Sequence, residues 1–179
     1  MRLILASLLV AFIGFSAHAQ QASINWMTIE EAMAAAEDDP RPIMMDVYTQ
    51  WCGPCKMMMA NTFTVPALIS YVNEHYYAVK FDAESAGEVT FKGQTFSNPG
   101  FNPAARGRNS PHELSRALGV SAYPTLIFMT AEGDIITPLT GYKSAQNLEI
   151  FLRYFAEKWF AGSGQTEWDA YKERFTPTF

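Results

Sequence analysis

The order of apolar and polar positions divides the chain into segments with distinct periods. Leu3 to Phe15 is an apolar run behind Arg2, and it ends in Ser16-Ala17-His18-Ala19. A basic start, an apolar stretch and a small-x-small end form the pattern of a secretory signal peptide over residues 1–19, with cleavage expected after Ala19. A spanning helix needs roughly 20 apolar residues, so the run is marginal as a permanent anchor. No cysteine follows the cleavage point, which argues against a lipid-anchored form. Residues 20–179 then read as a single domain outside the cytoplasm, most simply in a bacterial periplasm, in contact with a membrane only through the signal peptide.

Within that domain Thr28-Ile29-Glu30-Glu31 has the hydroxyl-x-x-carboxylate spacing of a capping box. It predicts an Ala-rich helix that stops before Pro40. Pro42 introduces Ile43-Met44-Met45-Asp46-Val47-Tyr48, a short apolar run that reads as a buried strand. A Met-rich helical stretch follows Cys52-Gly53-Pro54-Cys55. Thr64 is placed to cap a second helical segment, in which Leu68, Tyr71, Val72 and His75 share one face. Tyr77 to Phe81 reads as the next strand. Helix between two strands predicts a right-handed crossover and parallel pairing.

From Glu84 to about Asn109 the composition shifts to Gly, Asn, Pro, Ser and Arg. Ordinary connections have a median of roughly 4–6 residues, so this segment reads as an insert. Inside it, Val89 to Phe96 predicts a small hairpin turning near Lys92-Gly93. Ser110-Pro111-His112-Glu113 offers an N-cap, a proline at the first helical position and a capping carboxylate. The short helix it opens is expected to run to Leu118 and end at Gly119. Thr125–Met129 and Ile135–Leu139 flank Glu132-Gly133-Asp134, the pattern of an antiparallel hairpin. Ser144 caps a last long helix with Leu148, Phe151, Leu152, Phe155 and Trp159 on one stripe. A C-terminal extension, about residues 162–179, begins at Gly162-Ser163-Gly164 and holds one more helical stretch from Thr166 to Phe175. The expected class is α/β: a mixed central sheet of about four strands, flanked by helices on both faces, with the insert ahead of the third core strand.

Composition removes several functions. The 179 residues are 49% hydrophobic and 17% charged, enough to bury a core, which excludes intrinsic disorder as the overall description. A net charge of −5 leaves no electrostatic footprint for nucleic acid or for an anionic membrane surface. Two cysteines are too few for a disulfide-stapled scaffold or a four-thiolate zinc site.

Those two cysteines stand as C-x-x-C after a strand and at a helix start, which is a specific signal. Two residues between thiols hold the sulfurs within reach of a Cys52–Cys55 disulfide. Cys52 at the helix N-terminus faces unpaired N–H groups and the positive end of the helix dipole. Both favour the thiolate and lower its pKa below the free value of about 8.5. Cys55, one turn in, is expected to be more buried and less ionised. Cys52 is therefore the expected nucleophile and Cys55 the resolving thiol. Gly53 lets another backbone come close, and Pro54 stiffens the turn. A purely structural cross-link is disfavoured, because so short a loop gains little entropic stabilisation. Zinc or copper binding stays open as a lesser alternative.

Trp51-Cys52-Gly53-Pro54-Cys55-Lys56 resembles the active-site motif of the thioredoxin family, and the similarity runs from about Trp26 to Trp159. Asp46 lies where the family carries a buried acid, Lys80 where a lysine approaches it, and Tyr123-Pro124-Thr125 resembles the segment with a cis proline facing the dithiol. The resemblance implies a thioredoxin-like fold and thiol–disulfide exchange with protein disulfide substrates, without cofactor or metal. The signal peptide, the insert and the tail depart from it, which leaves the substrate open.

Each matched residue also has a physical reading. Burial raises the pKa of Asp46 and suits it to take the proton from Cys55; the plainer reading is a strand-end carboxylate paired with Lys80. Lys80 either tunes that acid or is simply a solvated strand residue. Pro124 either opens an edge strand or, in the cis form, lets the backbone of Tyr123 pair with an extended substrate. Trp51 is a lip for substrate or packs on the strand that carries Asp46. His75 and His112 sit in no motif that supports a Cys–His hydrolase. Met57, Met58 and Met59 point in different directions along a helix and read as core filling rather than copper ligands. Arg106 and Arg108 read as solvated loop charges, with an acidic partner as the alternative. The leading expectation is an exported protein-disulfide reductase, recharged by a membrane-delivered or thiol reductant. A disulfide oxidase or isomerase, a copper-handling protein and a binding module built on the insert are the alternatives.

Overall fold

A computed structural model describes residues 23–159 and 167–179. The expected signal peptide, the Gly162-Ser163-Gly164 junction and the side chain of Trp159 lie outside the described residues. In chain order the first half contains β1 (Trp26–Met27), α1 (Ile29–Asp38), β2 (Ile43–Tyr48), α2 (Gly53–Asn61), α3 (Pro66–His75) and β3 (Tyr77–Asp82). The second half contains β4 (Val89–Phe91), β5 (Gln94–Phe96), α4 (Glu113–Ala117), β6 (Thr125–Met129), β7 (Ile135–Thr140), α5 (Ala145–Tyr154) and α6 (Trp168–Arg174), with a π-helical turn at Phe155–Trp159 after α5.

The central sheet has five strands in the order β1-β3-β2-β6-β7, one more than the four expected. The extra strand, β1, is two residues long, too short to show a period in the sequence. β1, β3 and β2 are parallel, and β6 and β7 add antiparallel on the other side of β2. The insert folds its own hairpin from β4 and β5, turned through Lys92 (φ 50°) and Gly93 (φ 75°). Two left-handed residues in succession give the twist that a two-residue hairpin turn needs.

Side chains alternate across the sheet with period two. Ile43, Met45 and Val47 of β2 join Val79, Phe81 and Ile127 under α1 and α4. Met44 of β2 joins Ala78, Leu126 and Phe128 on the opposite face, against Met58, Leu68, Leu148 and Leu152. Asp46 shares the parity of Met44, and Lys80 that of Ala78, so both point toward the face that carries α2.

Two caps differ from the sequence reading. Thr64 does not cap α3, because its hydroxyl donates back to the Ala60 carbonyl at 2.8 Å. Val65 is the N-cap instead, without a side-chain bond, and Pro66 opens the helix. Ser110 does not cap α4; the cap is His112, whose Nδ1 accepts the Leu114 N–H at 3.1 Å. The start shifts because the His112 N–H is tied to the Ala83 carbonyl at 2.7 Å, while Glu113 turns its carboxylate to the N–H and hydroxyl of Ser97. The capping box at Thr28 and the N-cap at Ser144 form as the sequence predicts.

Candidate active site

Parallel strands that neighbour each other deliver their following loops to the same sheet edge. Here β2 runs through Thr49-Gln50-Trp51 into α2, and β3 runs through Ala83-Glu84 into the insert. Gln50 Nε2 donates across these loops to Asp82 Oδ2 at 3.0 Å, and the Ala83 N–H donates to the Tyr48 carbonyl at 2.8 Å.

Cys52 is the N-cap of α2, in extended conformation, and its Sγ accepts the Cys55 N–H at 3.1 Å. Its carbonyl accepts the Lys56 N–H at 3.2 Å, so both its side chain and its backbone engage the first turn. Pro54 falls within that turn, where its missing donor leaves no carbonyl unsatisfied. The two sulfurs are joined in a disulfide with a Cα–Cα distance of 5.3 Å. Both cysteines are buried, at 2% and 3% exposure, so unequal burial is not what distinguishes them. The difference lies in hydrogen bonding: Cys52 Sγ takes an N–H from the helix start. A Cβ built at Gly53 would meet nothing within 4 Å, so the surface beside the disulfide is open there.

Asp46 is 2% exposed, and its Oδ2 accepts from Lys80 Nζ at 2.7 Å. Its Oδ1 has no hydrogen-bond partner among the described residues. Burial raises the carboxyl's pKa, and the neighbouring ammonium offsets only part of that rise. Lys80 also donates to Met59 Sδ at 3.0 Å and lies 4.3 Å above the Tyr48 ring and 5.0 Å from that of Trp26. Cys55, Met59 and Lys80 line one open cavity of about 470 Å³, walled also by Tyr48, Thr49 and Gln50. The resolving-side cysteine and the Lys80 end of the ion pair thus line one cavity, with Asp46 behind Lys80.

Trp51 stands between the loop after β3 and the segment ahead of β6. Its Nε1–H donates to Glu84 Oε2 at 2.9 Å, its ring stands edge-on to Tyr123 at 6.0 Å, and the Arg108 guanidinium lies 4.3 Å over it. The Tyr123–Pro124 peptide is cis, and Pro124 leads directly into β6.

The other residues singled out in the sequence separate. Of the three methionines only Met58 is core; Met57 is 51% exposed and Met59 faces the cavity, because successive helical positions diverge by roughly 100°. His75 packs on Tyr71 in α3, and His112 is spent on capping. Arg108 reaches Trp51, whereas Arg106 remains on the exposed loop. The site residues that the sequence reading did not assign to the site are Glu84, Tyr48 and Thr49, together with Met59, which it read as core filling. Glu84 alone had a signal: it lies two residues past the strand paired with β2, at the edge where Trp51 emerges.

A disulfide seated at a helix N-terminus, at the edge of a mixed sheet with a buried acid behind it, defines the class of thiol–disulfide exchange proteins. Residues 29–156 match the family model of the thioredoxin-like domain, and the chain belongs to that family. It is 25% identical over 130 residues to the thiol:disulfide interchange protein DsbD of Pectobacterium atrosepticum, covering 72% of this chain but only 19% of that protein. It is 27% identical over 128 residues to the thioredoxin of Alicyclobacillus acidocaldarius, covering 70% of this chain and 93% of that one. A Bacteroides thetaiotaomicron protein provisionally called a disulphide-isomerase is similar in structure, with a TM-score of 0.55 and 27% identity over 78% of this chain and 98% of that chain. The protein is a thiol–disulfide oxidoreductase.

Proposed function

We infer that the protein is exported and reduces protein disulfides through a Cys52–Cys55 cycle. The observation that carries the cycle is the Cys55 N–H donated to Cys52 Sγ at the start of α2. In the reduced protein that N–H and the helix dipole hold Cys52 as thiolate. The Cys52 thiolate attacks one sulfur of the substrate disulfide, and the other leaves as a thiolate that takes a proton from solvent. Cys55, which lines the same cavity as the Lys80 partner of Asp46, gives its proton to Asp46 and attacks Cys52 Sγ. The substrate's second sulfur leaves as a thiolate, and the protein's disulfide remains. Two electrons pass from protein to substrate, and a reductant, delivered through a membrane or as a free thiol, must return them.

Lys80 is a positioning residue in this scheme. It holds Asp46 in place and keeps its pKa from climbing further, while burial keeps the carboxyl basic enough to accept a proton. Trp51, Gly53, Pro54, Tyr123 and Pro124 form the surface on which an extended substrate lies. The Gly-Pro spacer and the thioredoxin relatives favour the reducing direction. The basic, apolar and small-residue segments of residues 1–19 favour export.

Direction is a matter of potential, since about 30 mV changes the two-electron equilibrium tenfold. Equilibration of the pair with glutathione is expected to give a potential below about −230 mV, together with turnover of insulin disulfides. A potential near about −120 mV, that of a strong oxidant, would overturn the reductase assignment. N-terminal sequencing of the protein recovered from an expressing bacterium is expected to begin at Gln20. A cytoplasmic, unprocessed product would overturn export.

A further inference from the structure

We propose that Arg108 makes the mouth beside Trp51 a subsite for an acidic side chain of the polypeptide substrate, close in sequence to the disulfide cysteine that Cys52 attacks. The proposal rests on the reading of the protein as acting on protein disulfides.

Arg108 sits near the far end of the insert, and the insert closes on itself at that point. Asn98 Nδ2 bridges the carbonyls of Ser85 and Ser110 at 2.9 and 2.8 Å, tying the two ends together. Glu84 Oε2 accepts both the Trp51 Nε1–H and the Asn109 N–H, the second at 2.8 Å. The residue next to Arg108 is therefore held by the carboxylate that holds the Trp51 indole. The anchored neighbour sets where the Arg108 backbone lies, and the cation–π contact places the guanidinium over the ring.

Arg108 is exposed, and among the described residues it makes no hydrogen bond or ion pair. With its Cζ 4.3 Å over the Trp51 ring and no hydrogen bond among the described residues, the guanidinium has N–H donors available to grip a carboxylate. The acidic groups close by are otherwise engaged. Glu84 takes the two N–H groups just described, and Asp82 takes the Glu84 N–H and the Gln50 amide. Both carboxylates bind their own loops rather than Arg108. The net charge of −5 disfavours acidic segments over the surface as a whole, and Arg108 is the cation at the Trp51 mouth that offsets this locally.

Trp51, Arg108, Val120 and Tyr123 wall an open cavity of about 520 Å³, wide enough for side chains of an extended segment. Trp51 directly precedes Cys52 and lies under Arg108. A residue one or two positions from the attacked cysteine, at about 3.3 Å per extended residue, falls within reach of the guanidinium.

The test uses the reduced full domain and three peptides with one disulfide each, differing only in Glu, Gln or Lys two residues from the cysteine. Second-order reduction rates are followed by tryptophan fluorescence at low salt. The wild-type protein is expected to reduce the Glu peptide about tenfold faster than the Lys peptide, with Gln between, and the ratio is expected to shrink in 0.5 M salt. Arg108→Gln is expected to bring the Glu/Lys ratio to about one, and Arg108→Glu to invert it. Because the ratio is taken within each variant, a general loss of rate does not mimic the effect. Equal rates for the three wild-type peptides, or an Arg108→Gln variant that keeps the preference, overturn the subsite. A wild-type protein unable to reduce hydroxyethyl disulfide overturns the redox reading itself and the subsite with it.

Discussion

Asp46 and Lys80 are register partners on adjacent parallel strands, and their side chains close an ion pair at 2.7 Å on the face that carries α2. The pair is lopsided. Asp46 is almost wholly enclosed while Lys80 keeps 21% of its side chain exposed, and Asp46 Oδ1 has no partner among the described residues. The ammonium is divided among one carboxylate oxygen, a thioether and two aromatic rings. Burial therefore outweighs attraction, and the carboxyl titrates above its ordinary value.

Asp46→Asn tests the consequence for stability. A pKa raised in the folded state means that the folded protein holds its proton over a range where the unfolded chain has released it. Asp46 accordingly lowers stability as pH rises from about 4 through its raised folded value. The Asn variant lacks this slope. Its urea midpoint is expected to exceed that of the wild type at pH 8, with the gain shrinking towards pH 4. The resolving step is expected to slow by about 10²-fold, read as accumulation of the mixed disulfide in stopped flow.

Lys80→Met removes the one charge that lowers the Asp46 pKa, so that pKa climbs further. The pH at which the resolving rate levels off is expected to move upward, with little change in the rate of the first attack. An unmoved pH profile would mean that the Lys80–Asp46 pair is structural and does not tune the resolving step.

Single cysteine variants separate the two thiols. Cys52→Ser is expected to abolish mixed-disulfide formation. Cys55→Ser is expected to trap a covalent complex with substrate, visible by mass spectrometry, and to stop turnover. Alkylation of Cys52 in the Cys55→Ser background is expected to titrate below about 8.5. A variant pair behaving the other way round would reverse the assigned roles.

Glu149 anchors the C-terminal tail. Its side chain is enclosed, and it accepts the Thr178 N–H and hydroxyl, the Phe179 N–H and the Arg153 guanidinium. Burial acts to raise its pKa, but these donors outweigh burial and lower it. With the folded value depressed, its stabilisation is present above the unfolded value of about 4.3 and is lost as pH falls through the folded one. Glu149→Gln is expected to lower unfolding free energy at pH 7 by about 1–3 kcal/mol and to expose the tail to carboxypeptidase. The rate on small disulfides is expected to stay as in the wild type, since Glu149 does not line the cavity beside Cys55.

The sequence by itself determined what depends on near neighbours. The Thr28 and Ser144 caps, the Lys92-Gly93 turn, the strand periods and the placement of Cys52 at a helix start are all set within a few residues. The C-x-x-C spacing alone put the sulfurs in reach of each other. Reading failed where a distant group competed: Thr64 turned back to Ala60, and His112 replaced Ser110 as a cap once its N–H was tied to Ala83. Only the tertiary structure decided that Lys80 faces Asp46 across two strands, and that both ends of the insert close over Trp51. Those contacts join residues some 30 or more positions apart. They follow from which strands lie side by side and at which edge their loops emerge, and no local pattern encodes that choice.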